Sequence, residues 1–178
     1  STSTSISVST SAGDSQEQYY RLNREKFERE AKIIAHLDDL TGIVKVYDFF
    51  YENDTVYMVL EYLDGINLKE YVKAQGGKLN VNEVTSKLNS VMSSLQNLHE
   101  HGILHRDISP DNIMVLGDGS LKLLDFGGAK IQANTGLSNM VIAKKGYTPI
   151  EQYHTDGNQG VWTDVYAMAA TIYFCITG

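Results

Sequence analysis

The sequence predicts an α+β fold, in which short antiparallel strand pairs accompany long helices. Two hairpins are indicated at 43–60 and 113–124, where apolar runs flank polar turn residues. Helical periodicity at 16–37 and 81–101 predicts two amphipathic helices, and the apolar run VYAMAATIYFCIT near the C-terminus predicts a third.

The first helix follows a segment at 1–13 that is rich in Ser and Thr, which is typical of a mobile segment or a weak edge strand. Ser15 and Gln18 form a capping box at the start of this helix. Four residues at helical spacing form its apolar face: Phe27, Ala31, Ile34 and Leu37. The pattern ends at Gly42.

Strands are predicted next at 43–50 and 56–60, joined by a turn at 52–54. A polar break at 61–65 precedes a brief helix at 67–74. The long helix at 81–101 carries six apolar residues that are expected to be buried: Val84, Leu88, Val91, Met92, Leu95 and Leu98.

The helix at 81–101 is predicted to end at Gly102. After Asp125 the sequence is loop-like for about 25 residues, and loops of that length are usually functional. The last helix begins near 162–164 and is apolar nearly all round, which predicts a buried helix.

Composition limits the possible partners of the chain. With 178 residues, 42% hydrophobic and 21% charged, the sequence is typical of a soluble globular domain or part of one. Its net charge of −7 argues against nucleic acid as the main partner. The single cysteine, Cys175, excludes an internal disulfide and is expected to be a buried thiol.

No membrane segment is predicted within the chain, because no stretch approaches the ~20 apolar residues of a membrane span. The start of the sequence has neither the basic region nor the apolar core of a secretory signal. A cytoplasmic location is therefore expected, although a membrane anchor elsewhere in a longer parent protein is compatible with this sequence.

Two polar clusters flank the second hairpin and carry the chemistry. His105-Arg106-Asp107-Ile108-Ser109-Pro110-Asp111-Asn112 precedes the hairpin, and Asp125-Phe126-Gly127 follows it. The hairpin therefore places the two clusters close together. Phosphoryl transfer needs an acid that orients the attacking hydroxyl and oxygen ligands that hold magnesium. Asp107 fits the first role, and Asn112 and Asp125 fit the second.

HRDISPDN and DFG resemble the catalytic loop and the magnesium-binding motif of protein kinases. The ordered pair is much more specific than either motif alone. The resemblance runs from about Ser15 onward and implies part of a two-lobed kinase fold. It implies a flexible segment at 1–14, a partial small lobe with the hinge at 15–62, and a partial large lobe at 63–178.

The resemblance also implies which residues bind ATP and Mg²⁺. Glu30 matches the helix glutamate that pairs with a strand lysine holding the ATP phosphates. MVLEYLDG resembles the hinge, where the backbone of 61–63 would bond the adenine edge and Met114 would lie under the ring. The implied catalytic set is Asp107, Asn112, Asp125 and Glu30. The implied nucleotide-binding set is Leu60 (the gatekeeper position), Glu61, Leu63, Met114, Asn112 and Asp125.

Other matching positions are structural or regulatory. His105, Phe126 and Ile34 resemble members of the internal hydrophobic column of the family. Asp164 resembles the aspartate that braces the backbone of the catalytic loop. Arg106 resembles an arginine that binds a phosphorylated activation loop. Thr135 and Ser138 are the candidate phosphosites in that loop.

The sequence departs from the family pattern in ways that bear on activity. No Gly-rich phosphate loop or strand lysine is present. Ser109 stands where kinases normally have a lysine, and Lys144 stands where many have a threonine. Glu151 lies in a Pro-Ile-Glu motif, and its usual arginine partner is expected beyond Gly178. We therefore expect residues 1–178 alone to bind nucleotide weakly, to self-associate and to transfer no phosphate.

The function that these motifs imply is that of a bacterial-type protein Ser/Thr kinase, which moves the γ-phosphoryl group of Mg·ATP to a protein hydroxyl. One alternative is a pseudokinase or nucleotide-binding regulatory module, suggested by Ser109 and the missing lysine. Another is a kinase-like small-molecule phosphotransferase. Such enzymes generally lack the Asp-Phe-Gly motif combined with a Pro-x-Glu segment.

Overall fold

The computed structural model describes residues 40–52, 55–124, 130–131, 143–154 and 157–178. These residues form an α+β arrangement of short antiparallel sheets and three α-helices, as the sequence predicts. The predicted helix at 16–37, the segment at 1–14 and the Asp125-Phe126-Gly127 motif lie outside the described residues.

The first predicted hairpin is confirmed as β1 (Val46–Glu52) and β2 (Thr55–Leu60), which pair antiparallel. Its first strand begins at Val46, so the prediction that it starts at residue 43 was wrong. Ile43 instead forms a parallel bridge with Leu123.

Gly42 precedes the hairpin and lies against the long helix predicted at 81–101. A Cβ at Gly42 would overlap the carbonyl group of Ser90, so only glycine allows this close approach to the long helix. The Gly42 amide also donates to Ser94 Oγ at 2.9 Å. Residues 42–44 are thereby held along the strand that contains Leu123, with Val44 N donating to Leu123 O at 2.9 Å.

A three-stranded antiparallel sheet contains the second predicted hairpin. Its order is β3 (Gly65–Asn67), β5 (Ile113–Leu116) and β6 (Leu121–Leu123). The hairpin turn is closed by Asp118, whose carboxylate accepts from the amide and the hydroxyl of Ser120. Strand β3 begins within the predicted polar break at 61–65. It forms because Gly65 lets the backbone lie close against β5.

A third small sheet pairs β4 (Ile103–Leu104) with β7 (Lys130–Ile131). The sequence predicted a continuous loop after Asp125, which was wrong at 130–131. A two-residue strand has almost no local signal, because its pairing is set by a partner far away in the sequence.

Helix α1 (Leu68–Ala74) and helix α2 (Val81–Glu100) confirm the predicted helices. Asn67 caps the first by accepting from Glu70 N at 2.8 Å, and Asn80 caps the second by accepting from Asn82 N at 2.9 Å. Gly102, with φ of 72°, follows α2 as predicted. The predicted apolar stripe of α2 is buried except for Met92, which is partly buried.

Helix α3 (Val161–Thr177) is less buried than predicted. One face carries Asp164, Ala167 and Cys175 into the core, and burial raises the pKa of the Cys175 thiol to about 11. Val165 and Tyr173 on the other side are 60% and 70% exposed, because the described elements pack against only one side of α3. No helix in the described part of the chain is both long and apolar enough to cross a membrane.

Candidate active site

Asp164, in the first turn of α3, holds the backbone of the predicted catalytic loop. It is fully buried, and its carboxylate accepts from His105 N at 2.8 Å and from Arg106 N at 2.7 Å. His99 Nε2, at the end of α2, lies 2.8 Å from the same carboxylate. The prediction that Asp164 braces this loop is confirmed.

The environment of Asp164 keeps its carboxylate charged. Burial by itself raises the pKa of this group. The hydrogen bond from His99, the electrostatic effect of His105 and the amides of Arg106 and His105 act in the opposite direction. The pKa of Asp164 is lowered overall, because hydrogen bonds to the charged form outweigh the cost of burying it.

Arg106 has φ of 69°, a left-handed conformation that costs free energy in a residue with a side chain. Its backbone is held on both sides of the turn. Asp164 accepts from its N–H, and Gln152 Nε2 donates to its carbonyl at 2.9 Å. Gln152 is itself buried. This pair of contacts fixes the bend that immediately precedes Asp107.

His105 is fully buried, and both of its ring nitrogens are used. Nε2 donates to Leu124 O at 3.0 Å, because a carbonyl oxygen can only accept, and the amide of Asp107 lies 3.4 Å from Nδ1. The imidazole thus connects the catalytic loop to the end of the hairpin. This position agrees with the prediction that His105 is structural.

Asp107 and Asn112, both predicted site residues, are in direct contact. Asn112 Nδ2 donates to Asp107 Oδ2 at 2.7 Å and to Asp107 O at 3.0 Å. This amide fixes the orientation of the Asp107 carboxylate and leaves Asn112 Oδ1 as the atom that could bind a cation. Leu124 N donates to Asn112 O at 2.7 Å, and Leu124 is the residue before Asp125 in the sequence.

Lys144 lies beside the same carboxylate. Its Nζ atom donates to Ser109 Oγ at 2.8 Å and lies 3.8 Å from Asp107 Oδ1. Serine at position 109 carries no charge, but the sequence did not predict that an ammonium group from position 144 lies beside it. Glu30 and Asp125, the other predicted catalytic residues, lie outside the described part of the chain.

Comparison with known proteins agrees with this geometry. The family model described as "Protein kinase domain" matches residues 7–178. The chain belongs to the protein kinase family.

Several bacterial kinases are similar to this chain. It is 34% identical over 155 residues to the serine/threonine-protein kinase PrkC of Bacillus subtilis, covering 86% of this chain and 24% of PrkC. It is also 34% identical over 170 residues to the serine/threonine-protein kinase PknA of a Nostoc species, covering 90% of this chain and 30% of PknA. The chain therefore spans less than a third of the length of either relative.

A solved structure has the same fold. The apo form of PpkA-294 superposes with a TM-score of 0.69 at 31% sequence identity, covering 93% of this chain and 58% of that one. The similarity supports the partial kinase fold that the sequence predicts.

The residues predicted to form the hinge lie where β2 leads into β3. Leu60 ends β2 opposite Val46, and Glu61 N donates to Lys45 O at 2.9 Å. Leu63 is partly buried against the core. Residues 61–64 thus form the connection between the first hairpin and the rest of the described chain.

Met114 and Glu61 are both linked to Lys122. Met114 alternates along β5 with the buried residues Ile113 and Val115, so it lies on the opposite face of that strand. It is paired with Lys122 on β6, and Lys122 Nζ forms an ion pair with Glu61 Oε1. Burial raises the pKa of Glu61. The ion pair with Lys122 and the hydrogen bond from the Lys45 amide have a larger effect in the opposite direction, so the pKa is lowered overall.

Glu151, in the Pro-Ile-Glu motif, has a partner within the described chain. Thr163 Oγ1 donates to Glu151 Oε1 at 2.9 Å, and the same hydroxyl accepts from Gly160 N at 3.2 Å. Thr163 is fully buried at the start of α3. The Pro-Ile-Glu segment is thereby attached to the helix that also supplies Asp164.

Sequence reasoning did not identify His99, Gln152 or Thr163 as supports of the site. Each is a polar residue next to a recognisable motif, but nothing in the sequence shows that it is buried. For Lys144 a signal was present. The chain departs from the family pattern at both 109 and 144, and such paired departures can indicate that the two positions are in contact.

Proposed function

We propose that this chain is the catalytic core of a protein Ser/Thr kinase that transfers the γ-phosphoryl group of Mg·ATP to Ser or Thr hydroxyls of proteins. The observation that carries the proposal is the fixed carboxylate of Asp107. Asn112 orients one of its oxygens, Lys144 lies beside the other, and the preceding bend is held by Asp164 and Gln152.

Asp107 is assigned to the incoming hydroxyl group. The hydroxyl oxygen would form a bond to the γ-phosphorus as the bond to the bridging oxygen of ADP breaks, and Asp107 would take the proton. Positioning and electrostatic stabilisation supply most of the rate in such reactions, because the protein contributes little covalent chemistry. A carboxylate held on several sides is suited to that role.

Asn112 and Asp125 are assigned to magnesium, which when bound would neutralise charge on the phosphates. The Asn112 side chain fits this role, because its nitrogen is used by Asp107 and its oxygen is the hard ligand that Mg²⁺ prefers. Glu30 would pair with a strand lysine. The adenine would lie on Met114 and bond the backbone of Glu61 and Leu63, with Leu60 at the gatekeeper position.

Two features favour a protein kinase over the alternatives. The nearby ammonium group of Lys144 weakens the argument for a pseudokinase, which rested partly on a missing charge. The Pro-x-Glu segment, which small-molecule phosphotransferases generally lack, is attached to α3 by the hydrogen bond between Thr163 and Glu151. We propose a cytoplasmic location and a protein substrate, and the net charge of −7 argues against nucleic acid.

The test is phosphate transfer from labelled ATP by the full-length protein, offered a generic protein such as casein or a panel of small hydroxyl compounds. We expect magnesium-dependent label on Ser and Thr of the protein. Label on a small compound alone would support the phosphotransferase instead. Nucleotide binding with no transfer to either would support the pseudokinase.

A further inference from the structure

We propose that Lys144 supplies the positive charge that Ser109 lacks, so that the ammonium group facing the transferred phosphoryl group comes from the segment before the Pro-Ile-Glu motif. This inference rests on the proposed function and names a residue for that reaction. Compared with the usual family pattern, the positive charge would come from position 144 instead of position 109. These two residues are in contact in the structure.

The position of the Lys144 ammonium group is specific. Ser109 Oγ, its partner at 2.8 Å, belongs to a fully buried residue, and the Lys144 side chain is 33% exposed. The neighbouring Lys145 is exposed. One of the two lysines therefore lies in the site and the other on the surface, although they are adjacent in sequence.

The backbone of Lys144 is fixed as well. Its N–H donates to Thr148 Oγ1 at 2.7 Å, and its carbonyl accepts from the amides of Tyr147 and Thr148 at 3.0 and 3.1 Å. A closed turn therefore anchors the start of a flexible side chain. Anchoring reduces the reorganisation needed when charge develops on a reacting group.

The contacts leave donors of Lys144 available for a substrate. An ammonium group has three N–H donors, and one is used by Ser109. The separation of 3.8 Å from Asp107 Oδ1 is longer than a hydrogen bond, so this ion pair adds little stability. The remaining donors lie next to the carboxylate that we assign to the attacking hydroxyl, where the phosphoryl group must pass.

The test compares charge removal at two adjacent positions in the full-length protein. Lys144→Met removes the charge and keeps the apolar stem, and Lys145→Met makes the same change on the surface. We expect Lys144→Met to lower kcat by ~10²- to 10³-fold, the usual cost of one preorganised electrostatic contact. Lys145→Met should stay within about twofold of the unaltered protein.

A second variant moves the charge to its usual place in the family. The double variant Ser109→Lys with Lys144→Thr should have a kcat at least about tenfold higher than that of Lys144→Thr alone. A structural role for the Lys144 stem would give no such recovery. Equal kcat in Lys144→Met and the unaltered protein, or no recovery in the double variant, would overturn the inference.

Nucleotide binding provides a readout that does not require turnover. Calorimetry with magnesium should show that Lys144→Met binds ADP normally and a non-hydrolysable ATP analogue on the order of tenfold more weakly, because only the analogue has a γ-phosphate. An unchanged ratio of the two affinities would overturn the assignment. If the unaltered protein transfers no phosphate to protein, the proposed function fails, and this ratio still decides the role of Lys144.

Discussion

Asp164 shows how one buried residue can set the geometry of a site that it does not enter. Its carboxylate binds two successive amides of the catalytic loop, and the first of these belongs to His105, which in turn contacts the end of the hairpin. The strained conformation of Arg106 is held by the same carboxylate. Removing this group would release both amides and the bend.

We therefore expect Asp164→Ala to lower the free energy of unfolding by about 1–3 kcal/mol, because buried donors would lose their acceptor. Urea denaturation at neutral pH measures the change. Asp64→Ala, which removes an exposed carboxylate, should change stability by less than about 0.5 kcal/mol. Equal stability of the Asp164 variant and the unaltered protein would show that the loop does not depend on this residue.

Asp164 should also contribute to acid sensitivity. Its pKa is lowered in the folded state, so its stabilising effect is complete above the unfolded value of about 3.9 and is lost as the pH falls through the folded pKa. Asp164→Asn should be less stable at neutral pH and should lose less further stability below about pH 4. Thermal unfolding between neutral and acid pH measures this slope. A slope equal to that of the unaltered protein would contradict the assignment.

At the residue scale, motif positions predicted that Asp107 and Asn112 lie together and that Asp164 holds the catalytic loop. The chemical roles of Asp107 and Asn112 remain predictions. The partner of Ser109 was not identified, because Lys144 is 35 residues away and its contact depends on how a loop folds back. The buried supports Gln152 and His99 were missed for the same reason.

Among the larger elements, the segment that contains the Pro-Ile-Glu motif and precedes α3 joins several parts of the site. A short 3₁₀ helix, Ile150–Tyr153, carries Glu151 toward Thr163 and carries Gln152 toward the carbonyl of Arg106. Two adjacent residues thus connect this segment to α3 on one side and to the catalytic loop on the other.

Thr163→Val keeps the shape of the side chain but removes the hydroxyl that bonds Glu151. We expect a loss of about 1 kcal/mol of stability, because the partly buried Glu151 carboxylate would lose a donor and the Gly160 amide would lose an acceptor. Amide exchange in residues 150–153 should become faster. Thr85→Val makes the same change on the exposed side of α2 and is the matched control. Equal exchange rates in the Thr163 variant and the unaltered protein would mean that this bond does not fix the segment.

Sequence patterns predicted the longer elements well. Helix α2 and the hairpin of β5 and β6 have strong local signals, in the form of an apolar stripe, an Asn cap and a Gly-Asp-Gly turn. Strands β3, β4 and β7 were missed because each has only two or three residues and forms only against a distant partner. The first strand was placed too early because Ile43 is apolar in either arrangement.

On the scale of the whole molecule, several of the described elements pack around the catalytic loop. Helix α2 lies against β6 and α3, and the short 3₁₀ helix Pro110–Asn112 lies against α1. The exposed apolar side of α3, which includes Trp162, Val165, Tyr166 and Tyr173, was predicted to be buried. A helix that is apolar on all sides is buried only if other elements cover all of its sides, and the described elements cover one side of α3. The expected self-association of the isolated chain remains a prediction.

The most direct test of this account is the turnover of Asp107→Asn in the full-length protein, measured together with its affinity for ATP. The substitution keeps the size of the side chain and removes the carboxylate that we assign to the incoming hydroxyl. We expect kcat to fall by ~10²- to 10⁴-fold with nearly unchanged ATP affinity. Turnover close to that of the unaltered protein would contradict the role of Asp107, and so would a loss of ATP binding that parallels the loss of turnover.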